Sequence, residues 1–457
     1  MTTTSSQHAL LSFVKELNNT YFGPLLIVLL LGAGLYFTIR LCFIQKFVFK
    51  GISKTFKGIN KHGKASKKEG ISPFQALATA VAAQLGTGNI IGISTAIVAG
   101  GPGAIFWLWI SIVLGMATNY SEAVLAQLYR TKTSDGHVIG GPAYYIRNGL
   151  KSKLLANVFA VVAVIALGFM GTLVQTNSIT LTVTNVLPVN GIYVGIGVAI
   201  LVGIILIGGI TRIASFSARI VPVMASVYFM AGFVLIIMNY QNIVPAFQSI
   251  FASAFSTSSV AGGALGFTVM QAIRYGVSRG LFSNEAGLGT TPHAHAVAKV
   301  KQPYEQGLTA MVGVMTNFVI CTLSALIVLV AGPSLDVATA DAVQTSFQMA
   351  FGYAGSIFIA VTLFFFSLTT IVGWYFFAAQ NLRFLSGERL IKPFQLVVIL
   401  FVVLGSILQV ELVWELMDTF NVLLVVPNVI ALLYLSPKIV EQTRLMTTNY
   451  RNNSVNK

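Results

Sequence analysis

From about residue 22 to residue 436 the chain alternates long apolar runs with short polar stretches. Each run approaches the ~20 residues that a helix needs to cross a hydrocarbon core of about 30 Å. None has the alternating ten-residue rhythm of an outer-membrane barrel strand. The pattern predicts eleven membrane-spanning helices, over 22–43, 74–98, 103–127, 155–184, 191–211, 218–239, 262–290, 305–331, 353–381, 393–411 and 417–436. The opening stretch to about residue 20 is polar, and no small-residue cleavage site follows a short apolar core, so no cleaved signal peptide is expected.

Two of these spans are interrupted. In the second, "QLGTGNIIGIST" (84–95) places Gly86, Gly88 and Gly92 beside Gln84, Thr87, Asn89, Ser94 and Thr95. Close helix packing through small residues accounts for an isolated Gly92 or Gly100, but the whole cluster predicts a broken helix. Unwound backbone at membrane depth is tolerated only when it is buried in protein or lines a cavity. Such a break offers the N–H groups of the following half-helix to a carboxylate and freed carbonyls to a small cation. The seventh span, "AIRYGVSRGLFSNEAGLGTT", carries Gly276, Gly280, Gly287 and Gly289. Counting five helices per unit, these two spans open successive units of opposite orientation, with one helix left over at the N-terminus. The chain divides as 1–73 (tail, first helix and basic loop), 74–239 (first unit), 240–436 (second unit with the loop before it) and 437–457 (tail).

Composition agrees: 55% of residues are hydrophobic, 9% are charged and mean hydropathy is +0.81, far from soluble domains. Charge sets the orientation. Loop 44–73 holds Lys46, Lys50, Lys54, Lys57, Lys61, Lys64, Lys67 and Lys68, and loop 128–154 adds Arg130, Lys132, Arg147, Lys151 and Lys153. Loops 185–190 and 240–261 are uncharged, while 332–352 and 411–418 carry only acids. Of the 28 Lys and Arg residues, 25 fall on one side, which the positive-inside rule makes cytoplasmic. The N-terminus is expected outside and the C-terminus inside. The formal charge of +15 is then topogenic. It favours anionic lipid at loop 44–73 rather than nucleic acid.

Other chemistry is weakly marked. "GINKHGK" (58–64) has phosphate-loop spacing, but Ala65 replaces the metal-binding Ser or Thr and no strand precedes it. The glycines at 86, 88 and 92 miss the dinucleotide spacing. Cys42 and Cys321 both lie within predicted spans and imply no disulfide framework. His293 and His295, beyond the seventh span, lack metal-spaced partners and are expected at the solvated interface. Segment 134–153, with Tyr144 and Tyr145, is expected to lie along the inner leaflet. With no His, Cys or close carboxylate constellation read within the spans, an enzyme is disfavoured. A channel fits two matched broken helices less well than a carrier does.

The stretches "GTGNIIGI" (86–93), "GGPGAIFWLWI" (100–110), "GGPAYYI" (140–146) and "RGLFSNEAGLGTTPHAHA" (279–296) resemble the alanine or glycine:cation symporter family of bacteria and archaea, from about residue 15 to 440. The resemblance implies an all-α polytopic membrane protein with a leucine-transporter-like 5+5 inverted repeat, preceded here by one extra helix. It implies import of a small neutral amino acid (alanine, glycine or glutamine) across a prokaryotic plasma membrane, coupled to sodium or, alternatively, to protons. No organic cofactor is implied, and a monomer suffices.

On that footing the backbone at Gly86, Thr87 and Gly88 and the Asn89 side chain are candidates for the substrate carboxylate, with Gly276 in the matched break. Gln175 and Asn177 of the fourth span either hydrogen-bond between helices or face the substrate, which the resemblance favours for Gln175. In the ninth span Ser367, Thr369 and Thr370 either bond back to their own helix or join Gln84 and Thr87 around a sodium ion, a hard cation that wants several oxygens. Trp374, one turn beyond Thr370, is expected to wall the side-chain pocket. Arg274, Arg279 and Glu285 are costly inside a span and read as a buried or intracellular-gate network.

The topology is open to a direct check. A cysteine at Ala338 is expected to react with an impermeant thiol reagent from outside the cell and one at Lys61 only after permeabilisation; reaction of both from one side would sink the eleven-span arrangement.

Overall fold

The computed structural model describes residues 2–57, 70–132, 136, 138–207, 209–255, 268–332 and 341–455. All of "GINKHGK", Lys61, Lys64, Lys67 and Lys68 of the basic loop, and Ala338 lie outside them.

The chain begins with α1 (Thr2–Leu17), which passes through a π-helical turn into α2 (Gly23–Arg40). Helix α3 (Val48–Lys57) follows, then α4 (Pro73–Gln84) and α5 (Ile91–Gly100), separated by a break. Next come α6 (Gly103–Leu128), a two-residue hairpin of β1 (Thr131–Lys132) and β2 (Val138–Ile139), and α7 (Pro142–Asn148). Helices α8 (Lys153–Ile165) and α9 (Gly171–Thr184) run on through a second π turn, followed by α10 (Gly191–Leu206), α11 (Gly209–Met238) and α12 (Ile243–Phe255). The remainder is α13 (Val269–Asn284), α14 (Pro292–Ala296), α15 (Pro303–Ala331), α16 (Ala342–Phe351), α17 (Tyr353–Ser386), α18 (Ile391–Gly405), α19 (Val410–Tyr434) and α20 (Ser436–Val455).

Seven continuous helical stretches among the described residues are long and apolar enough to cross a membrane: 9–40, 103–128, 153–184, 212–238, 303–331, 353–386 and 411–434. Helices α10 and α18 are shorter apolar helices, and the second and seventh predicted spans are interrupted. Both interrupted helices open in the same way. Ser72 and Gln75 close a capping box at the start of α4, and Thr268 and Gln271 close one at the start of α13. In each, side chain and backbone satisfy one another's orphan groups.

Stretches expected as tails or loops prove helical: α1, α12, α16 and α20. Mixed composition hides α1, α16 and α20 from a hydropathy window, and α12 is apolar but only 13 residues long. Leu11 and Val14 of α1 are buried, and α1 packs on α19.

Helix α6 lies at the centre, packed on α2, α12, α13, α14 and α15. Its approach to α13 is close because the facing positions have no side chain. A Cβ on Gly276 would collide with the Ala104 carbonyl oxygen and one on Gly280 with the Ser111 hydroxyl. Gly276 therefore serves the α13–α6 contact from within α13, which breaks only after Asn284, so, contrary to expectation, it does not lie in the matched break. Close packing leaves no room for relaxation here. Gly276→Val is expected to destabilise the protein by on the order of 1–3 kcal/mol, read as a lower midpoint of thermal unfolding in detergent. An unchanged midpoint would contradict this contact.

Candidate functional site

Helix α4 ends as Leu85 leaves helical geometry and Gly86 adopts an extended conformation. A tight turn over Thr87–Asn89 then leads into α5. Glycine is required at 86 by space: a Cβ there would stand 2.6 Å from Thr370 Oγ1 and 2.9 Å from Gln175 Oε1. The Thr87 N–H donates to Gln175 Oε1 (3.2 Å), and the Thr370 hydroxyl lies 2.9 Å from the Ala82 carbonyl and 3.0 Å from that of Phe366. Gly86, Thr87, Gln175 and Thr370 are thus brought together from three helices. All are buried.

Several buried polar atoms around the break have no hydrogen-bond partner among the described residues: Thr87 Oγ1, Gln175 Nε2, Ser367 Oγ and Gln84 Oε1. Buried polar groups tend to be paired, so these atoms are candidates for ligand contact. The other candidate oxygens are engaged. The Thr369 hydroxyl turns back to the Phe366 carbonyl (2.9 Å). The Gln84 side chain points away from α17, donating to the Asn284 carbonyl (2.6 Å) with its oxygen against Gly313 of α15. Asn177 donates to carbonyls 405 and 408 (3.1 and 2.7 Å), an interhelical role.

Asn89 secures the break itself. Its Nδ2 donates to the Gln84 carbonyl (2.7 Å), and its Oδ1 lies 2.7 Å from Ser283 Oγ and 3.1 Å from Cys321 Sγ. Asn317 Oδ1 faces the same two groups, and Asn317 Nδ2 donates to the Ser283 carbonyl. With one hydrogen each, Ser283 and Cys321 supply one donor to each amide oxygen. The Asn89 side chain is therefore committed to α4, α13 and α15, which leaves backbone and the Thr87 hydroxyl on that turn for a carboxylate.

Phe282, which the sequence reading passed over within its own quoted motif, sits against Gly88 and stacks edge-on to Trp374 (5.7 Å) and at a tilt to Trp414 (4.7 Å). Trp374 is buried, its ring fitted against Gly171 and its Nε1–H donating to Glu285. Glu285 also accepts from the Thr290 hydroxyl.

The expected charge network separates into two. Arg279 donates to both oxygens of Asp418 at 3.0 Å and lies over the Trp414 ring at 4.5 Å. Arg274 bonds Asn19, Asn18 donates to Glu415 (2.7 Å) and Lys15 pairs with Glu411. These contacts gather at the end of the bundle that holds the N-terminal helix, whereas Glu285 lies beyond α13 at the other side of Phe282. Glu122 of α6, omitted from the sequence reading, also faces the stretch after α13, so buried carboxylates do approach one another. No group of three or more metal-ligating side chains occurs among the described residues.

His293 and His295 are buried, not interfacial. The His293 Nδ1–H donates to the Thr290 carbonyl (2.7 Å) and its Nε2 accepts from Asn381 (2.9 Å). Burial pushes the two imidazoles down to about 4 and about 3, so both are neutral. Tyr145 likewise turns inward to Asn428, and Tyr144 packs on Phe384, so α7 is built into the protein.

Asn89→Ala would leave the Gln84 carbonyl without its side-chain donor and Ser283 and Cys321 with Asn317 Oδ1 as their shared acceptor. It is expected to destabilise the protein by about 1–3 kcal/mol, measured as a drop in thermal midpoint both with and without sodium and alanine. A variant as stable as the parent would show that Asn89 does not brace the break.

Comparison with known proteins places this geometry. A solved manganese transporter of Eremococcus coleocola shares the fold, with a TM-score of 0.56 over 77% of this chain and 76% of that one, at 13% identity. An uncharacterised transporter of Haemophilus influenzae is 40% identical over 95% of both chains. A sodium/alanine symporter of Methanococcus maripaludis is 38% identical over 97% of this chain and 99% of its own, and a probable sodium/glutamine symporter of Bacillus subtilis is 38% identical over 94% and 89%. Residues 7–457 match the model of the sodium:alanine symporter family. The chain belongs to that family, and it is a multi-pass membrane transporter, not an enzyme.

Proposed function

We propose that this transporter carries a small neutral amino acid inward together with sodium, by alternating access around the break between α4 and α5. The observation that carries the reading is the set of buried, unpartnered polar atoms at that break: Thr87 Oγ1, Gln175 Nε2 and Ser367 Oγ, beside the Thr370 hydroxyl and the Ala82 carbonyl. They are neutral and mostly oxygen. Neutral oxygens coordinate sodium but do not take up a proton near neutral pH.

Sodium sits, on this reading, between the hydroxyls of Ser367 and Thr370 and carbonyls at the end of α4. The substrate carboxylate lies along the backbone of Gly86, Thr87 and Gly88 within reach of Gln175 Nε2, where the start of α5 favours negative charge. Phe282 and Trp374 close the side-chain pocket and limit substrate size. Relatives named for alanine and for glutamine carriage support a neutral amino acid. The Arg279 and Asp418 pair, capped by Trp414, closes the path on the side of the N-terminus, which the lysine distribution makes extracellular. A largely buried ion pair of this kind, made through one guanidinium nitrogen, holds two helices only while both partners stay in place.

The architecture that serves this cycle is two inverted five-helix units. Their lengths correspond: α6 and α15 have 26 and 29 residues, 153–184 and α17 have 32 and 34, and α10 and α18 have 16 and 15. Each unit opens with a capping box and a broken helix, and each carries a short helix, α7 or α16, before its third span.

The test is amino-acid uptake into proteoliposomes under a sodium gradient without a pH gradient, and under the reverse. Sodium-driven uptake is expected. Thr370→Val keeps most of the side-chain volume and removes one oxygen, and is expected to raise the sodium concentration for half-maximal uptake roughly tenfold, equivalent to about 1.4 kcal/mol. Uptake driven by the pH gradient alone and indifferent to sodium in both proteins would overturn the assignment.

A further inference from the structure

Two buried carboxyl groups take no part in the scheme above. Glu122 and Glu285 are both fully buried. Glu122, on α6, accepts three hydrogen bonds at one oxygen: Oε1 lies 3.1 Å from the Gly287 N–H, 3.0 Å from the Gly289 N–H and 2.6 Å from Asn428 Nδ2. Asn428 also donates to the Gly287 carbonyl (2.9 Å), and its own oxygen accepts from Tyr145. Gly287 and Gly289 have φ of +93° and +76°, a left-handed geometry that turns both N–H groups towards the same acceptor and that other residues adopt at a penalty. One turn earlier on α6, Asn119 accepts from Thr291 Oγ1 (3.2 Å). The unwound stretch between α13 and α14 is thus fastened to α6 and α19, with Glu122 as the principal tie.

The second oxygen of Glu122 is different. Oε2 is buried without a partner among the described residues, and so is Asn119 Nδ2. A bare carboxylate oxygen inside a helix bundle is expensive unless a positive charge reaches it. Among the described residues no Lys or Arg forms an ion pair with Glu122 or Glu285. The titratable groups on the packed elements do not fill that need either. Glu285 accepts from Trp374 and Thr290, Tyr145 bonds Asn428, His293 is committed to Thr290 and Asn381, and His295 Nδ1 to Gln306. Sodium does not suit the position, because it wants several oxygens. Here Oε1 is shared by three N–H donors, the Asn119 and Asn428 oxygens accept from hydroxyls, and the unpartnered neighbour on the same helix is an N–H group. A proton needs only one oxygen.

We infer that Glu122 is a proton-binding site, and that a proton taken up at Oε2 releases the unwound stretch between α13 and α14 from α6. The step is simple protonation: the carboxylate gains one proton from water on the side where that stretch opens and returns it on closing. Its consequence follows from charge. Hydrogen bonds to an ionised acceptor are about twice as strong as those to a neutral one, so the three bonds at Oε1 weaken together. The site acts beside the sodium position, and it rests on the reading of the chain as an alternating-access carrier.

The experiment uses the full chain in detergent with Cys42→Ser and Cys321→Ser, and Ala294→Cys as a reporter on α14, where the residue is fully buried. The rate of maleimide labelling is measured from about pH 5.5 to about pH 7.5 and divided by that of a free thiol standard, and one controlling proton is expected to raise the ratio by up to about tenfold per unit fall in pH. Glu122→Gln preserves shape and is expected to label fast at every pH, while Glu122→Asp is expected to retain a pH dependence. A ratio independent of pH in the Glu122 protein, an unchanged profile in Glu122→Gln, or loss of the profile in Glu285→Gln alone would overturn the site. Sodium-driven alanine uptake by the same Glu122 protein in vesicles tests the carrier reading separately, since its absence leaves the labelling profile standing.

Discussion

A backbone inside a membrane has no water to satisfy its N–H and C=O groups, and an unpaired group there costs several kcal/mol. This protein opens its backbone twice within its helix bundle, after Gln84 and after Asn284. The rest of the architecture follows from the need to satisfy those two openings. Side chains reach several of the freed groups: Asn89 of the turn itself to the Gln84 carbonyl, Gln175 to the Thr87 N–H, and Glu122 with Asn428 to Gly287 and Gly289. Beside the first opening Thr87 Oγ1, Gln175 Nε2 and Ser367 Oγ are left unpaired, and these are the positions the proposed ligands would take.

The two openings are satisfied by different chemistry. Around the first, the partners are amides and hydroxyls, so no charge has to be compensated and a neutral cavity remains for a cation and a zwitterion. Around the second, a carboxylate gathers three donors at one oxygen. A neutral support is insensitive to pH, whereas a charged one weakens when it is protonated. The two are mechanically linked, because Asn89 at the first opening shares Ser283 and Cys321 with Asn317, and Phe282 bridges Gly88 to Trp374 and Trp414.

Much of this was legible in the sequence. Apolar run length pointed to the seven long spans, and the glycine clusters at 86–92 and 276–289 marked both interrupted helices, because breaking a helix in lipid requires residues that leave a local trace. The motifs also pointed to the family. The helices α1, α16 and α20 escaped because their mixed composition leaves average hydropathy unremarkable, and α12 because it is apolar but too short to span. Residue roles were less legible. Gly276 and Gly86 read alike along the chain, yet one lets α13 press on α6 and the other makes room for Thr370 and Gln175.

The chain by itself determined that this is a helical membrane transporter with two broken helices, since period, length and glycine content are local properties. Only the tertiary structure decided which polar groups meet. Arg279 lies six residues from Glu285 in sequence but pairs with Asp418, and Asn89 is drawn into a brace with residues 283, 317 and 321. Glu122, solitary in its run of small and apolar residues, gains its importance from glycines more than 160 positions away. Hydrogen bonds are satisfied by proximity in space, and in a packed bundle proximity is set by helix crossings that no local window of sequence contains.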